Sequence, residues 1–219
     1  MPAALFDLDG TLVDNMVFHA RAWMQLCERH GIPARVEQFE REFAGKKNGE
    51  IIETLLGPGI EPARARALAD EKEAVYRRIY EPHVAWVPGA HHLIMRLRAA
   101  GTPVAVATAA PRQNREMVLG SLRALGLFDA IVGGEQVANG KPAPDIFLEA
   151  AKKLGVPPAG CVVFEDAVNG VLAGKSAEMF TVGICTSELA SALAAIGADE
   201  TARDFTGLTA SVLARLGLG

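Results

Sequence analysis

The 219-residue chain has few cysteines, no long apolar run and no excess of positive charge. Its three cysteines, Cys27, Cys161 and Cys185, are far apart in apolar surroundings, which favours buried thiols over disulfides or a zinc site. No apolar run approaches the ~20 residues of a transmembrane helix, and the N-terminal residues lack a signal-peptide pattern. We therefore expect a cytoplasmic protein without disulfides.

The composition is typical of a globular protein that folds as one domain with an insertion or as two modest domains. Hydrophobic residues make up 50% and charged residues 22% of the chain. The net charge of -4 and the pI near 5.8 give no basic surface for nucleic acid or membrane. An anionic ligand would therefore need a local basic site.

The segment from residue 15 to about 85 has a helical pattern. Val17, Ala20, Met24 and Cys27 recur at helical spacing, which predicts a helix over 16–30 that stops at Gly31. Further helices are predicted, in the same way, over 37–43, 49–56 and 62–80. No strand is predicted in this segment.

From residue 87 onward, helices and short apolar strands alternate. The predicted strands are 104–108, 130–133, 161–164 and 180–184; the predicted helices are 90–100, 112–125, 144–154 and 169–175. Continuously apolar strands separated by helices indicate a parallel sheet that is covered on both faces. The apolar run 3–6 belongs to the same sheet. The predicted fold is therefore α/β, with a core of residues 1–14 and 85–219 and a helical insertion over 15–84.

Two carboxylates follow the first strand, in the stretch Asp7-Leu8-Asp9-Gly10. Residues two apart in an extended segment point the same way, so Asp7 and Asp9 share one face. Carboxylates held together repel each other unless a cation or a proton intervenes. The alternative is that Asp9 and Gly10 form a turn and that Asp7 is an accidental neighbour.

Other polar residues also follow strands of the predicted sheet. Thr108 ends one strand, Glu165 and Asp166 follow another, and Lys141 lies in a proline-stiffened loop. Ligands of open parallel sheets bind beyond the carboxyl ends of the strands, so these residues are candidates for one site. Each also has a simpler explanation: Thr108 as a helix cap, Glu165 and Asp166 as a helix start, and Lys141 as a solvated charge.

The loop around Lys141 does not match a phosphate-binding P-loop. Glu135 stands where the first glycine of that motif would be, and Pro142 replaces its serine or threonine. We reject that interpretation.

Taken together, these motifs resemble the haloacid dehalogenase superfamily of phosphohydrolases, and within it the beta-phosphoglucomutase-like proteins with a small helical cap. The matching residues run along nearly the whole chain: Asp7-Leu8-Asp9-Gly10-Thr11, Thr108, Gly140-Lys141-Pro142-Ala143-Pro144-Asp145 and Glu165-Asp166-Ala167-Val168-Asn169-Gly170. The resemblance implies a Rossmann-like core with an inserted all-helical cap.

The resemblance also implies roles for these residues. Asp7 would be the nucleophile that forms an aspartyl phosphate, and Asp9 the general acid and base. A magnesium ion would be held by Asp7, the main-chain carbonyl of Asp9 and Asp166, with Glu165 as a weaker or indirect ligand. Lys141, the Thr108 hydroxyl and the backbone amides from Ala109 onward would hold the phosphoryl group.

In the cap, the resemblance is looser. His19 is a candidate to line the cleft or to be a structural histidine, whereas Trp23 is more simply explained by packing. Beta-phosphoglucomutases grip a second phosphate with a cap lysine and a cap arginine, and this chain has Ala44 and Asn48 there. Lys46 and Lys47 lie between these positions, as partial substitutes or solvated charges.

We therefore expect hydrolysis of a small phosphomonoester by a monomer, with a sugar phosphate as the expected substrate. The alternatives are a sugar-phosphate mutase and a non-catalytic domain that binds a phosphorylated ligand.

Overall fold

The computed structural model describes residues 1–36, 38–39 and 47–219. Most of the predicted helix 37–43, as well as Ala44 and Lys46, lie outside the described residues. The chain forms two compact units, one of Met1–Asp14 with Ala85–Gly219 and one of Asn15–Val84. Within the described ranges, no helix has the length and apolar character that crossing a membrane requires.

The helices, in chain order, are α1 (Met16–His30), α2 (Asn48–Leu56), α3 (Pro62–Tyr80), α4 (Ala90–Ala99), α5 (Arg112–Ser121), α6 (Asp145–Leu154), α7 (Val168–Ser176), α8 (Ala190–Ala195) and α9 (Ala210–Arg215). The strands are β1 (Ala3–Phe6), β2 (Val104–Thr108), β3 (Ala130–Gly133), β4 (Cys161–Glu165), β5 (Phe180–Ile184) and β6 (Glu200–Ala202).

The first unit is built on one parallel sheet with the strand order β3-β2-β1-β4-β5-β6. Strand β1 is central and pairs with both β2 and β4. Strands β1, β2 and β4 are buried along their whole lengths, as their continuously apolar sequences require when helices cover both faces. The predicted Rossmann-like α/β architecture is confirmed.

Apolar side chains on both faces of the sheet fix the relative positions of its strands. On one face the ring of Phe6 stacks on that of Phe164, with centroids 4.9 Å apart. On the other face Leu5 and Val163 belong to a buried cluster to which Phe147 of α6 contributes. The carboxyl ends of β1 and β4 are therefore held side by side.

In the second unit, helices α1, α2 and α3 enclose an apolar cluster that includes Trp23, Leu26, Ile52 and Leu68. Helix α1 ends where the sequence predicted, at Gly31, which has a φ of 63°. At the start of α3, the carboxylate of Glu61 accepts hydrogen bonds from two backbone N–H groups of the first turn.

Helix α5 is shorter than predicted. It ends at Ser121 rather than near residue 125, because the chain turns at Arg123, which has a φ of 54°. The N–H of Arg123 donates to the carbonyl of Gly120, and that of Ala124 to the carbonyl of Leu119. These bonds close the helix end, which the apolar spacing alone did not indicate.

Two further differences concern the last part of the first unit. The structure has α8, β6 and α9 after residue 184, where no element is predicted, because these segments are too short to show a clear period. The prediction of a buried thiol is wrong for Cys185, which is only partly buried because it follows β5 at the sheet edge. Cys27 and Cys161 are buried as predicted.

Candidate active site

The candidate site begins where β1 and β4 end. Asp7 follows β1, and its N–H donates to the carbonyl of Phe164 at 3.0 Å. Glu165 is the last residue of β4, and Asp166 comes next. All three carboxylates are buried. Their close approach follows from the central position of β1, which the pairing order fixes.

Lys141 joins two of these carboxylates. Its Nζ donates to Asp7 Oδ1 at 2.6 Å, to Glu165 Oε1 at 2.5 Å and to the Ala107 carbonyl at 3.3 Å. Its side chain is only 11% exposed, so the alternative of a solvated loop charge is wrong. The loop brings the ammonium group to the carboxyl ends of β1, β2 and β4.

Burial and mutual charge shift the pKa values of this group. Desolvation, reinforced by the Glu165 carboxylate and opposed by the Lys141 ammonium, raises the pKa of Asp7 to about 7. Desolvation and the neighbouring carboxylates of Glu165 and Asp7 raise the pKa of Asp166 well above its usual range. Burial alone would lower the pKa of Lys141, but Asp7 and Glu165 outweigh it and raise the pKa. Lys141 is therefore a cation at neutral pH.

Two hydroxyl groups orient the carboxylate of Asp166. Thr11 Oγ1 donates to Oδ1 at 2.8 Å, and Ser187 Oγ donates to Oδ2. Thr11, which the sequence identifies only as the last residue of the first motif, thus has a definite contact with Asp166. Ser187 was missed, although it follows β5 at the same sheet edge; extending the strand-end rule to 185–187 would have found it.

Glycines leave room for these carboxylates. Gly10 has a φ of +84°, and a Cβ there would lie 2.0 Å from Asp166 Oδ2. A Cβ at Gly170 would lie 1.8 Å from the carboxyl carbon of Glu165. A larger residue at either position would have to displace an acidic side chain of the site.

The carboxylate of Glu165 is already engaged on both oxygens. Oε1 accepts from Lys141, and Oε2 accepts from the N–H groups of Asp166 at 3.0 Å and Ala167 at 3.2 Å. Glu165 is the last residue of β4, and its carboxylate contacts Lys141. It therefore does more than start the next helix.

The acidic group is suited to a hard divalent cation. One carboxylate oxygen each from Asp7, Glu165 and Asp166 lies within 4.8 Å of the others. Burial and mutual repulsion oppose the ionisation of three carboxylates beside a single lysine, and a divalent cation would favour it; Mg²⁺ prefers oxygen ligands. The residues fit the predicted ion. Asp9, the second aspartate of the motif, is partly buried. In the predicted set of metal ligands it contributes its main-chain carbonyl.

Thr108 and the residues after it form the other side of the strand-end edge. Thr108 is buried, and its Oγ1 accepts a hydrogen bond from the N–H of Ala110 at 3.1 Å. Pro111 occupies the N-cap position of α5, so Thr108 does not cap that helix. Ala109 is exposed between them. Asp7 and Thr108 thus lie at the ends of the adjacent strands β1 and β2, and Lys141 contacts the end of each strand.

The candidates in the second unit lie in a polar cluster and an apolar one. His19 Nδ1 is 2.8 Å from Lys72 Nζ, and its ring stacks on that of Tyr76. Trp23 is buried against Phe39, in agreement with a packing role.

Asn48 and Glu73 extend the polar cluster of the second unit. Asn48 donates to Glu73 Oε1 at 2.6 Å, and Lys72 donates to the same oxygen at 2.8 Å. Lys47 is exposed. Lys72 was missed by the sequence analysis, although it falls on the buried stripe of α3 between Leu68 and Tyr76, where an unpaired lysine would be costly.

Comparisons with known proteins agree with the resemblance. A family model described as haloacid dehalogenase-like hydrolase matches residues 1–178. The chain is 35% identical over 208 residues to a validoxylamine A 7'-phosphate phosphatase of Streptomyces hygroscopicus subsp. limoneus, which covers 93% of each chain. It is 32% identical over 221 residues to a beta-phosphoglucomutase of Bacillus subtilis, which covers 97% of this chain and 94% of the relative.

A solved structure supports the same relationship. The crystal structure of a hydrolase of family IA, variant 3, from Entamoeba histolytica superposes with a TM-score of 0.89 and 30% sequence identity, over 99% of each chain.

Proposed function

The chain belongs to the haloacid dehalogenase-like hydrolases, and on that premise we propose that it is a magnesium-dependent phosphatase of a small phosphomonoester, such as a sugar phosphate. The observation that carries the proposal is the contact of Lys141 with Asp7 and Glu165 beside Asp166. It combines a carboxylate nucleophile, a fixed cation and an acidic metal site at the end of a central strand.

We assign the nucleophile to Asp7. One of its carboxylate oxygens attacks phosphorus, the bond from phosphorus to the leaving oxygen breaks, and an aspartyl phosphate forms. Water then attacks the same phosphorus, which restores the Asp7 carboxylate and releases inorganic phosphate. The ion pair with Lys141 holds the Asp7 carboxylate in one orientation and favours its ionised form.

Asp9 is the assigned general acid and base. It gives a proton to the leaving oxygen in the first step and takes one from the attacking water in the second. Asp9 lies two residues after Asp7 in the stretch that follows β1, and Leu8 between them is fully buried.

The metal ligands in this proposal are Asp7, Asp166 and the main-chain carbonyl of Asp9. When bound, Mg²⁺ would neutralise phosphate charge and so permit the approach of an anionic nucleophile. Glu165, whose oxygens are engaged by Lys141 and two backbone N–H groups, serves to orient Lys141. Thr11 and Ser187 hold the Asp166 carboxylate in place.

The phosphoryl group is assigned to Lys141, the Thr108 hydroxyl and the main-chain N–H of Ala109, since the Ala110 N–H already donates to Thr108 Oγ1. These donors are fixed by the fold before substrate arrives, so they need no reorganisation as charge develops in the transition state. Residues 1–14 and 85–219 are proposed as the catalytic core, and residues 15–84 as an inserted helical cap. The predicted monomeric state, cytoplasmic location and substrate contacts of His19, Lys47 and Asn48 stay predictions.

A sugar-phosphate mutase is the second candidate, since one relative is named a beta-phosphoglucomutase. We favour hydrolysis because the chain has Ala44 and Asn48 where mutases carry a lysine and an arginine, and the Asn48 amide is engaged by Glu73. Without residues that bind a second phosphate, a bisphosphate intermediate would dissociate before it reoriented in the site.

The test is a screen of phosphorylated metabolites with Mg²⁺ that follows phosphate release and, for glucose 1-phosphate and glucose 6-phosphate, their interconversion. Hydrolysis predicts phosphate release that chelator abolishes and added Mg²⁺ restores. Interconversion without phosphate release would favour the mutase. No turnover of any compound would favour the non-catalytic alternative.

A further inference from the structure

Arg115 of α5 connects two segments that follow neighbouring strands. Its Nη1 donates to the Ala110 carbonyl at 2.6 Å and to Glu135 Oε2 at 2.9 Å, while its Nη2 donates to Glu135 Oε1 at 2.5 Å. Ala110 lies in the segment 109–111 after β2, and Glu135 in the segment after β3 that leads to Lys141.

The segment after β2 is held at Ala110 through both of its backbone polar groups. The Ala110 N–H donates to Thr108 Oγ1, and the Ala110 carbonyl accepts from Arg115. Strands β2 and β3 end side by side, since Thr108, the last residue of β2, pairs with Gly133, the last residue of β3. A Cβ at Gly133 would lie 2.0 Å from Arg115 Nη1, so glycine leaves space for the guanidinium group.

This ion pair differs from an ordinary surface pair on the same helix. The two carboxylates are about equally exposed, at 53% for Glu135 and 54% for Glu116, but the Arg115 side chain is 7% exposed and that of Arg112 is 79% exposed. Arg115 also meets Glu135 with two parallel hydrogen bonds. Hydrogen bonds from Arg115 lower the pKa of Glu135 to about 2, so the carboxylate is ionised at neutral pH. Only arginine has the planar fork that such a bidentate contact needs.

Because Glu135 and the Ala110 carbonyl already engage the guanidinium group, Arg115 is suited to hold backbone rather than to bind substrate. We propose that Arg115 is a positioning residue, which fixes the segment 109–111 so that the N–H of Ala109 meets a phosphate oxygen. This inference rests on the proposed function. Lysine at position 115 would keep the charge but lose the simultaneous contacts with Ala110 and both oxygens of Glu135.

The experiment compares wild type, Arg115→Lys, Glu135→Gln and the control Arg112→Lys, which alters the exposed pair of α5. For each protein, KM and kcat for p-nitrophenyl phosphate, the inhibition constant of inorganic phosphate and the melting temperature are measured with Mg²⁺. We expect Arg115→Lys to raise KM and the inhibition constant about tenfold or more, with a smaller change in kcat, because a misplaced Ala109 N–H binds phosphate less well. Glu135→Gln shifts both in the same direction, and Arg112→Lys leaves them unchanged.

A fall in melting temperature with KM and the phosphate inhibition constant within twofold of wild type would overturn the proposal, since a merely structural role predicts that result. If Arg115→Lys does not fold, Glu135→Gln decides by the same criterion. If the wild type hydrolyses no compound of the metabolite screen, the proposed function itself is refuted. If the wild type is active and Arg115→Lys has the same KM and phosphate inhibition constant, only the role of Arg115 is refuted.

Discussion

Lys141 Nζ lies 2.6 Å from Asp7 Oδ1, so an ammonium group from a loop 134 residues further along the chain meets the carboxylate that follows the central strand. The same ammonium group donates to Glu165 at the end of the adjacent strand. One cation thus holds together two acidic groups that would repel each other in a buried site. The proposed catalysis depends on this contact.

Replacement of Lys141 tests whether the contact serves catalysis. We expect Lys141→Met to lower kcat/KM by about 10²-fold or more, since it removes a fixed charge that stabilises the transferring phosphoryl group. The variant is also expected to unfold at lower temperature, because three buried carboxylates lose their cation. Turnover of a phosphomonoester and thermal melting are the measurements.

The matched control is Lys175→Met, which removes the lysine of a pair with Asp199 whose side chains are 34% and 28% exposed. It changes the net charge by the same amount, and we expect its turnover to equal that of wild type. Equal turnover in both variants would show that Lys141 has no catalytic part.

Gly10 tests the close packing around Asp166. We expect Gly10→Ala to abolish magnesium-dependent turnover, since its Cβ would lie 2.0 Å from Asp166 Oδ2. Gly59→Ala is the control, because Gly59 also has a positive φ, of +88°, but no atom lies within 4 Å of the added Cβ. The control carries only the backbone strain of about 1–2 kcal/mol. A direct titration of Mg²⁺ into both variants separates loss of the ion from general destabilisation.

The pH dependence of stability tests the polar cluster of the second unit. Burial would raise the pKa of Glu73, but Lys72, His19 and the hydrogen bond from Asn48 outweigh it and lower the pKa from 4.5 to about 2. The unfolded chain therefore binds the proton first as pH falls, so the stabilising contribution is full above pH 4.5 and is lost between about pH 4.5 and 2.

Glu73→Gln removes this contribution. We expect it to lower the free energy of unfolding at pH 7 by about 3 kcal/mol, with a difference from wild type that shrinks as pH falls through that range. Denaturant unfolding at several pH values measures it, with the exposed Glu53→Gln as control. A difference that stays constant down to pH 2 would contradict the assigned electrostatics.

Much of the fold and the centre of the site could be predicted because their signals are local. Strands β1, β2, β3 and β5 were predicted at their observed bounds, since each is an apolar run between turn residues. Asp7, Thr108, Glu165 and Asp166 were placed by the rule that parallel strands bring their carboxyl ends together.

Residues whose contacts depend on tertiary packing were not predicted. The spacing of α3 shows an apolar stripe but not that Lys72, within it, would find Glu73 and His19 as partners. Ser187 and Arg115 are ordinary polar residues in the sequence, and their contacts with Asp166 and Ala110 appear only when distant segments meet. The turn at Arg123 likewise has no glycine to mark it.

The most direct test of the central claim is the turnover of Asp7→Asn with Mg²⁺ and a phosphomonoester that the wild type hydrolyses. Asparagine has nearly the same size but cannot form the acyl phosphate, and Asp14→Asn, at an exposed position of the same N-terminal stretch, serves as control. We predict that Asp7→Asn loses at least about 10⁴-fold in kcat, whereas Asp14→Asn keeps the wild-type rate. Turnover by purified Asp7→Asn within tenfold of wild type would contradict the assignment of Asp7 as the nucleophile.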